Sequence, residues 1–303
     1  MSLSETRKGE AYAFTQALLW GLFPIVVVLS YSTLPSLVSY AWSTAIAALF
    51  FAGVLTYRQK WHELLNRELW KYSVYILFFI GILFYGFYFV GLTYTTAGNA
   101  AIISQFEIFT SFVFFNMLRG EHLSRTHMVG SALMILGALI VLGRGFTGPT
   151  IGDLLIFAAT CSAPIGNLYQ QKARRIASSE TIMFVRTLMA TPIMFLLAHA
   201  IGMRASIGDV YASLFFLAVS GILVFGLQKM LWIETIHRLS VTKANALSAI
   251  SPFAALFFAF LFLNQAPTAW QLLALVPFFL GTLLLTDQIG WMRKVWNAIR
   301  LER

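Results

Sequence analysis

Residues 100–140 read AAIISQFEIFTSFVFFNMLRGEHLSRTHMVGSALMILGALI, and residues 244–284 read ANALSAISPFAALFFAFLFLNQAPTAWQLLALVPFFLGTLL. Laid over each other at a shift of 144, the two run without a gap through Gly137 and Gly281. Ser104 falls on Ser248, Glu121 on Gln265, Ser124 on Thr268 and His127 on Gln271. Upstream, GILFYG at 81–86 meets GILVFG at 221–226 at a shift of 140, and an insertion of four residues before Val241 accounts for the change. Gly9-Glu10 meets Gly152-Asp153, and Tyr40-Ala41-Trp42 meets Phe184-Val185-Arg186. The chain therefore divides into a first repeat, 1–146, and a second, 147–303.

Both repeats are written in an alphabet suited to lipid. Of 303 residues, 59% are hydrophobic and only 11% charged, with mean hydropathy +0.77. Soluble domains carry about 25% charged residues, and folding hides only about 75% of the surface of a chain this long. That excludes a cytosolic enzyme, a disordered chain and a nucleic-acid-binding domain. Crossing the hydrocarbon core takes about 20 apolar residues in a helix. Ten such segments are predicted: 10–30, 34–57, 70–92, 95–118, 126–143, 151–171, 179–201, 208–235, 241–263 and 269–287. Barrel strands of alternating hydrophobicity are absent from the pattern. The predicted fold is an all-α integral membrane bundle of ten helices. Each repeat holds five segments, an odd number, so the second enters the membrane upside down relative to the first. Inverted repeats suit alternating access, because two like halves of opposite orientation can exchange conformations.

The net charge of +9 follows membrane topology, not a nucleic-acid partner. Seventeen Lys and Arg fall on the side of the two termini, from Arg7 and Lys8 through Arg58, Lys60, Arg174 and Arg175 to Arg300 and Arg303. Only Arg144 and Arg204 fall on the other side, and Arg186 and Lys229 lie within segments. Both termini are expected to be cytoplasmic. The first apolar run lacks a small-residue cleavage site and reads as a membrane helix. The tail WMRKVWNAIRLER reads as an amphipathic helix on the inner leaflet, anchored by Trp291 and Trp296. The one cysteine, Cys161, can form no intrachain disulfide and is expected to be a small core residue.

The doubled pattern resembles the EamA-type branch of the drug/metabolite transporter superfamily. It is carried by GEHLSRTHMVGSALMILGALI at 120–140, Ser251-Pro252 in the ninth segment and GDLLIFAATCSAP at 152–164. The resemblance covers nearly the whole chain, and within the superfamily it is greatest to the YddG-type exporters of aromatic amino acids. Two positions depart from it. Arg186 keeps the Arg that family members often carry at the start of the seventh segment, but Trp42 replaces its counterpart in the second, and Gln265 replaces the Glu of the GE pair. The resemblance implies export of aromatic amino acids or similar amphipathic metabolites across the inner (plasma) membrane of a bacterium. It also implies a central cavity lined by segments 1, 3, 4, 6, 8 and 9.

Polar groups within the segments are costly in lipid and are functional candidates for that reason. Glu107 sits near the midplane of segment four, where it could couple protons, meet a substrate ammonium, or partner Lys229 or Arg186 structurally. Lys229 could attract a substrate carboxylate or snorkel to the interface. Arg186 is expected to snorkel or form a structural ion pair. Trp20, Tyr85 and Tyr88 are candidates to stack on an aromatic substrate or face its ammonium. Asn99, Gln105, Asn167, Gln228, Ser248 and Ser251 complete the candidate substrate-binding set, with Pro252 freeing carbonyls beside the two serines. The repeated glycines 81, 86, 91, 221 and 226 are expected to let helices approach closely.

Other functions leave no signature. There is no GxxxxGK[ST] motif for a nucleotide, no HExxH and no deep histidine to activate a serine, so neither an enzyme nor a cofactor or metal is expected. A diphosphate cargo would want several deep cations, and only Lys229 and Arg186 are present. An uncoupled facilitator, or an exporter of other amino acids or hydrophobic drugs, would use the same residues. Paired inverted repeats within one chain predict a monomer.

Overall fold

A computed structural model describes residues 5–119, 125–143 and 148–285, all in helices and short connections with no strand among them. The ten helices are α1 (Glu5–Ser30), α2 (Ser36–Arg58), α3 (Arg67–Gly91), α4 (Ala97–Asn116), α5 (Arg125–Gly143), α6 (Ile151–Arg174), α7 (Ser179–Ala200), α8 (Leu214–Arg238), α9 (Lys243–Leu263) and α10 (Ala269–Leu285). Among the described residues the first nine are long and apolar enough to cross a membrane, and α10 is a shorter apolar helix. Their ends follow local chemistry. Thr150 and Asp153 form a reciprocal capping box at the start of α6, and Thr96 caps α4 by accepting from the Asn99 amide. Gln59 and Asn264, both in the left-handed region, end α2 and α9.

Here the structure departs from the sequence reading in three places. The eighth segment is split: Ile207–Ala212 is a separate short helix, and the long helix starts at Leu214. The Ser206 hydroxyl and amide donate to Asp209 at the head of that short helix and hold its carboxyl below the usual range. Cys161 is exposed on the outside of the bundle, not in its core. Of the repeated glycines, Gly91 and Gly221 are close approaches, but a Cβ on Gly86 would meet nothing within 4 Å. The expected tail helix lies outside the described residues.

Two kinds of irregularity recur at matching places. α3 contains a π-helical stretch, Leu77–Phe84, and α8 contains another, Val219–Gln228. α4 is interrupted at Gln105, and α9 between Ser248 and Ser251. In α9 the cause is Pro252, which has no N–H to give to Ser248. The backbone there closes on tighter bonds, from Ala249 N to Ala246 O (3.2 Å) and from Phe253 N to Ile250 O (3.1 Å). α4 has no proline. Its break is held by Gln105 itself, whose side-chain amide donates to Ser251 Oγ (3.0 Å) and joins the two interruptions.

Small residues set the packing. Gly130 of α5 and Gly281 of α10 lie against each other, so a Cβ on either would meet the other's carbonyl at about 3 Å. Gly21 brings α1 onto Ala254 of α9, Gly166 brings α6 onto Ile80 of α3, and Gly221 brings α8 onto Ile46 of α2. On the side of the chain termini, the turn Trp61–Leu65 is pinned to the head of α7. Glu63 Oε2 there accepts from the Ser178 amide (2.8 Å) and from the Ser178 and Thr181 hydroxyls. Burial pushes the Glu63 carboxyl up, but these donors outweigh it and hold it below its ordinary value.

Candidate functional site

α1, α3, α4, α6, α8 and α9 wall a central cavity, the six helices the resemblance implies. Its polar lining is Gln16, Ser104, Gln105, Glu107, Asn167, Gln170, Gln228, Lys229, Asn245, Ser248 and Ser251, and its rings are Trp20, Phe84, Tyr85 and Trp232. The irregular helices aim these groups. A π turn takes in one more residue than an α turn, and so rotates the succeeding side chains around the helix. Phe84 ends the π stretch of α3 and Tyr85 comes next; Gln228 ends that of α8 and Lys229 comes next. The broken helices bring in Gln105 and Ser251.

Two hydrogen-bonded chains cross the cavity. In the first, Trp232 Nε1 donates to Asn167 Oδ1 (3.1 Å), and Asn167 Nδ2 donates to Glu107 Oε1 (2.8 Å). This ties α8 through α6 to the midplane of α4. In the second, Gln228 Nε2 donates to Gln16 Oε1 (2.7 Å), and Gln16 Nε2 donates to Ser248 Oγ, tying α8, α1 and α9. Gln170 Oε1, Gln228 Oε1 and Asn245 Nδ2 are buried in the wall without a protein partner. Such groups are inexpensive to bury only when water or a ligand satisfies them.

The charged groups of the deep bundle are not paired with one another. Among the described residues no salt bridge joins Glu107 to Lys229 or to Arg186. Lys229 lies 3.9 Å from the centroid of the Trp20 ring and 5.5 Å from that of Tyr85. It therefore packs on rings in the cavity and does not reach for the interface. Arg186 neither snorkels nor pairs: it is 1% exposed, with its guanidinium carbon 5.5 Å from the Tyr85 centroid and 6.0 Å from that of Phe225. Neither of its terminal nitrogens has a hydrogen-bond partner.

The two ends of the cavity are flanked differently. Beyond it, on the side away from the termini, Phe23, Tyr40, Tyr85, Tyr88, Phe89 and Phe225 form a fully buried cluster of rings. Phe23 stacks on Trp20 (4.7 Å), Tyr40 on Phe89 (4.7 Å), and Tyr85 meets Phe225 at 4.8 Å. On the terminal side the flanking groups are ion pairs. Arg174 pairs with Glu234 (2.7 Å), Arg238 with Glu234 and with Glu5 (2.9 Å), and Lys243 with Glu10 (2.7 Å). These pairs link α6, α8, α1 and α9. The cavity volume open to water is about 60 Å³, room for about four to six molecules at about 10–15 Å³ each.

Most residues singled out from the sequence are brought together here. Trp20, Tyr85, Gln105, Glu107, Asn167, Gln228, Lys229, Ser248 and Ser251 all line the cavity. Two do not. Tyr88 faces the ring cluster beyond it, 5.1 Å from Phe23. Asn99 lies near the opposite end of α4, where its Oδ1 accepts from Gln271 Nε2 of α10 (2.7 Å). Gln16, Gln170, Asn245, Phe84 and Trp232 also line the cavity and were missed. Gln16 carried a usable signal, as an uncharged polar group four residues before Trp20 and so on the same helix face.

Comparison with known proteins agrees with this architecture. The model of the EamA-like transporter family matches the chain twice, over residues 7–143 and 150–287. A Bacillus subtilis (strain 168) protein described as "Uncharacterized transporter YvbV" is 31% identical over 175 residues. That match takes in 56% of this chain and 55% of the relative, so it spans about half the length of each. One crystal structure superposes with a TM-score of 0.71 over 92% of this chain and 96% of its own, at 18% identity. At that identity the likeness is one of fold.

Proposed function

The chain belongs to the EamA-like transporter family, and from that premise we propose that it exports aromatic amino acids or similar small amphipathic metabolites by alternating access. The observation that carries the reading is the cavity itself. Lys229 and Glu107 face it without pairing to each other, and Trp20, Phe84, Tyr85 and Trp232 supply ring surface. A molecule with a ring, a carboxylate and an amine meets a complement to each part. The two repeats, 1–146 and 147–303, exchange conformations around this site in a bacterial inner membrane with both termini cytoplasmic, and one chain suffices. Volume favours a carrier over an open pore. An apolar cavity of about 150 Å³ takes a benzene ring, whereas this one holds about 60 Å³. On this reading a ring enters when helices part and the cavity widens.

The test is uptake of radiolabelled phenylalanine by proteoliposomes preloaded with unlabelled amino acids. Stimulation by internal phenylalanine, tyrosine or tryptophan supports the carrier. Uptake without stimulation identifies an uncoupled facilitator, and no uptake removes aromatic amino acids as cargo. Glu107 is the coupling candidate. Glu107→Gln should flatten the pH dependence of transport across an imposed pH gradient, and an unchanged profile excludes Glu107 from coupling.

A further inference from the structure

The charges around the cavity do not balance. Arg186 and Lys229 approach the same ring, Tyr85, each 5.5 Å from its centroid, so the two cations lie within about 11 Å of each other. Against them stands one carboxylate of the cavity lining, Glu107, already accepting from Asn167. Arg186 is buried with both terminal nitrogens unpartnered. An unpaired buried charge is expensive and within a membrane marks function by default. Two of the four cavity rings that could receive a substrate ammonium, Trp20 and Tyr85, are also taken. Lys229 covers Trp20 at 3.9 Å, and Lys229 and Arg186 both flank Tyr85. A second cation there would meet repulsion from the protein's own.

We propose that Arg186 and Lys229 together form an anion subsite, and that the cargo is recognised by its carboxylate while its ammonium is dispensable. Lys229 contacts the carboxylate from the cavity wall. Arg186 acts through Tyr85 as a specificity-determining charge that the ligand does not touch. The ligand class widens accordingly, to aryl or alkyl monocarboxylates with or without an α-amine. The inference rests on reading this cavity as the substrate site.

The probes are 3-phenylpropanoate, phenethylamine and phenylalanine, which share a ring and differ in charge. Each is titrated into the purified full-length protein, with binding read from tryptophan fluorescence and from the rise in unfolding temperature. The acid should bind at least about tenfold tighter than the amine. Arg186→Gln should weaken the acid about tenfold, the effect of one unit charge at roughly 10 Å in an effective dielectric of about 20, and leave the amine unchanged or tighter. Lys229→Gln should act in the same direction. Arg186→Lys keeps the charge and should keep the preference, which preserves the test should the glutamine variant fail to fold. Equal binding of amine and acid, binding of none of the three probes, or loss of the preference in Arg186→Lys overturns the proposal. If the acid binds selectively but phenylalanine shows no exchange in proteoliposomes, the anion subsite stands and the amino-acid reading falls.

Discussion

The sequence treats Gly86 and Gly221 as equivalent members of one repeated pattern, yet the structure gives them opposite surroundings, and substitution by alanine should separate them. Alanine is favoured over glycine in a helix by about 0.5–1 kcal/mol, a gain common to both sites. At Gly86 a new Cβ meets nothing within 4 Å, so Gly86→Ala should show that gain alone. At Gly221 it would lie 2.8 Å from Ile46 Cβ, Ile46 Cγ2 and the Ser43 carbonyl oxygen. Two of these atoms belong to a branched side chain at its root and one to the backbone, so none can swing aside. Overpacking of this kind costs about 1–3 kcal/mol. The shared gain cancels, and Gly221→Ala should be less stable than Gly86→Ala by that same ~1–3 kcal/mol. Equilibrium unfolding of both purified variants in mixed detergent micelles measures the difference. If they unfold at the same denaturant activity, the contact between α8 and α2 is not as close as described and the reasoning fails.

Three further outcomes concern the site and its supports. Trp20→Leu removes the ring under Lys229 and the stack on Phe23. With stacking worth about 0.5–1.5 kcal/mol, half-saturation for phenylalanine exchange should rise about two- to tenfold, and an unchanged value argues against ring contact at Trp20. Asn167→Ala strips Glu107 of its donor and Trp232 of its acceptor, with an expected loss of about 1–3 kcal/mol in unfolding. The loss should shrink when Glu107→Gln is already present, because the two share one interaction; strict additivity would deny the coupling. The last concerns pH. The Glu63 carboxyl is held below its ordinary value in the fold, so its stabilising effect is fully present above the unfolded carboxylate's range and is lost as pH falls through the lower folded value. Hydrogen-exchange protection across residues 59–66, taken relative to the intrinsic rate at each pH, should therefore fall on acidification, Glu63→Gln should show the low protection already at neutral pH, and equal protection in variant and wild type at neutral pH refutes the role.

Much of the architecture was legible because lipid leaves the backbone few options. Once ten apolar segments are counted, helices are the form that satisfies every N–H and C=O without water, and the segment bounds agree with α1–α10 to within a few residues except at the split near Ser213. Glu107, Lys229 and Gln105 were found because a polar residue inside an apolar helix stands out whichever way it faces. Facing itself was not legible. Asn99 and Gln105 look alike in sequence, yet one meets α10 and the other the cavity. Tyr85 and Tyr88, three residues apart, should share a face; Tyr85 reaches the cavity and Tyr88 the ring cluster. The break of α4 at Gln105 has no proline to announce it; what accompanies it is a hydrogen bond to Ser251, 146 residues away. Arg186 reads in sequence as a side chain bound for water at the interface, whereas the rings of Tyr85 and Phe225 hold it inside.

The irregular backbone is confined to particular helices. The π stretches belong to α3 and α8 and the interruptions to α4 and α9, and all four helices wall the cavity. α2, α5, α7 and α10 contribute nothing to that wall and run as uninterrupted helices, two of them despite an internal proline. Composition alone does not produce this division, since Pro192 and Pro277 leave α7 and α10 unbroken while Gln105 interrupts α4. A backbone group freed from its helix costs several kcal/mol in hydrocarbon and far less beside polar side chains or water. Departures from the α-helix are therefore tolerable only where polar groups can answer them, as the Tyr40 hydroxyl of α2 does by donating to the Gly81 carbonyl (2.7 Å) in the π stretch of α3. The same places supply Phe84 and Tyr85, Gln228 and Lys229, and Gln105 and Ser251 to the lining. Under the carrier proposed above, a change in the width of the cavity would therefore fall first on α3, α4, α8 and α9, the helices that both present the site and already depart from the α-helix.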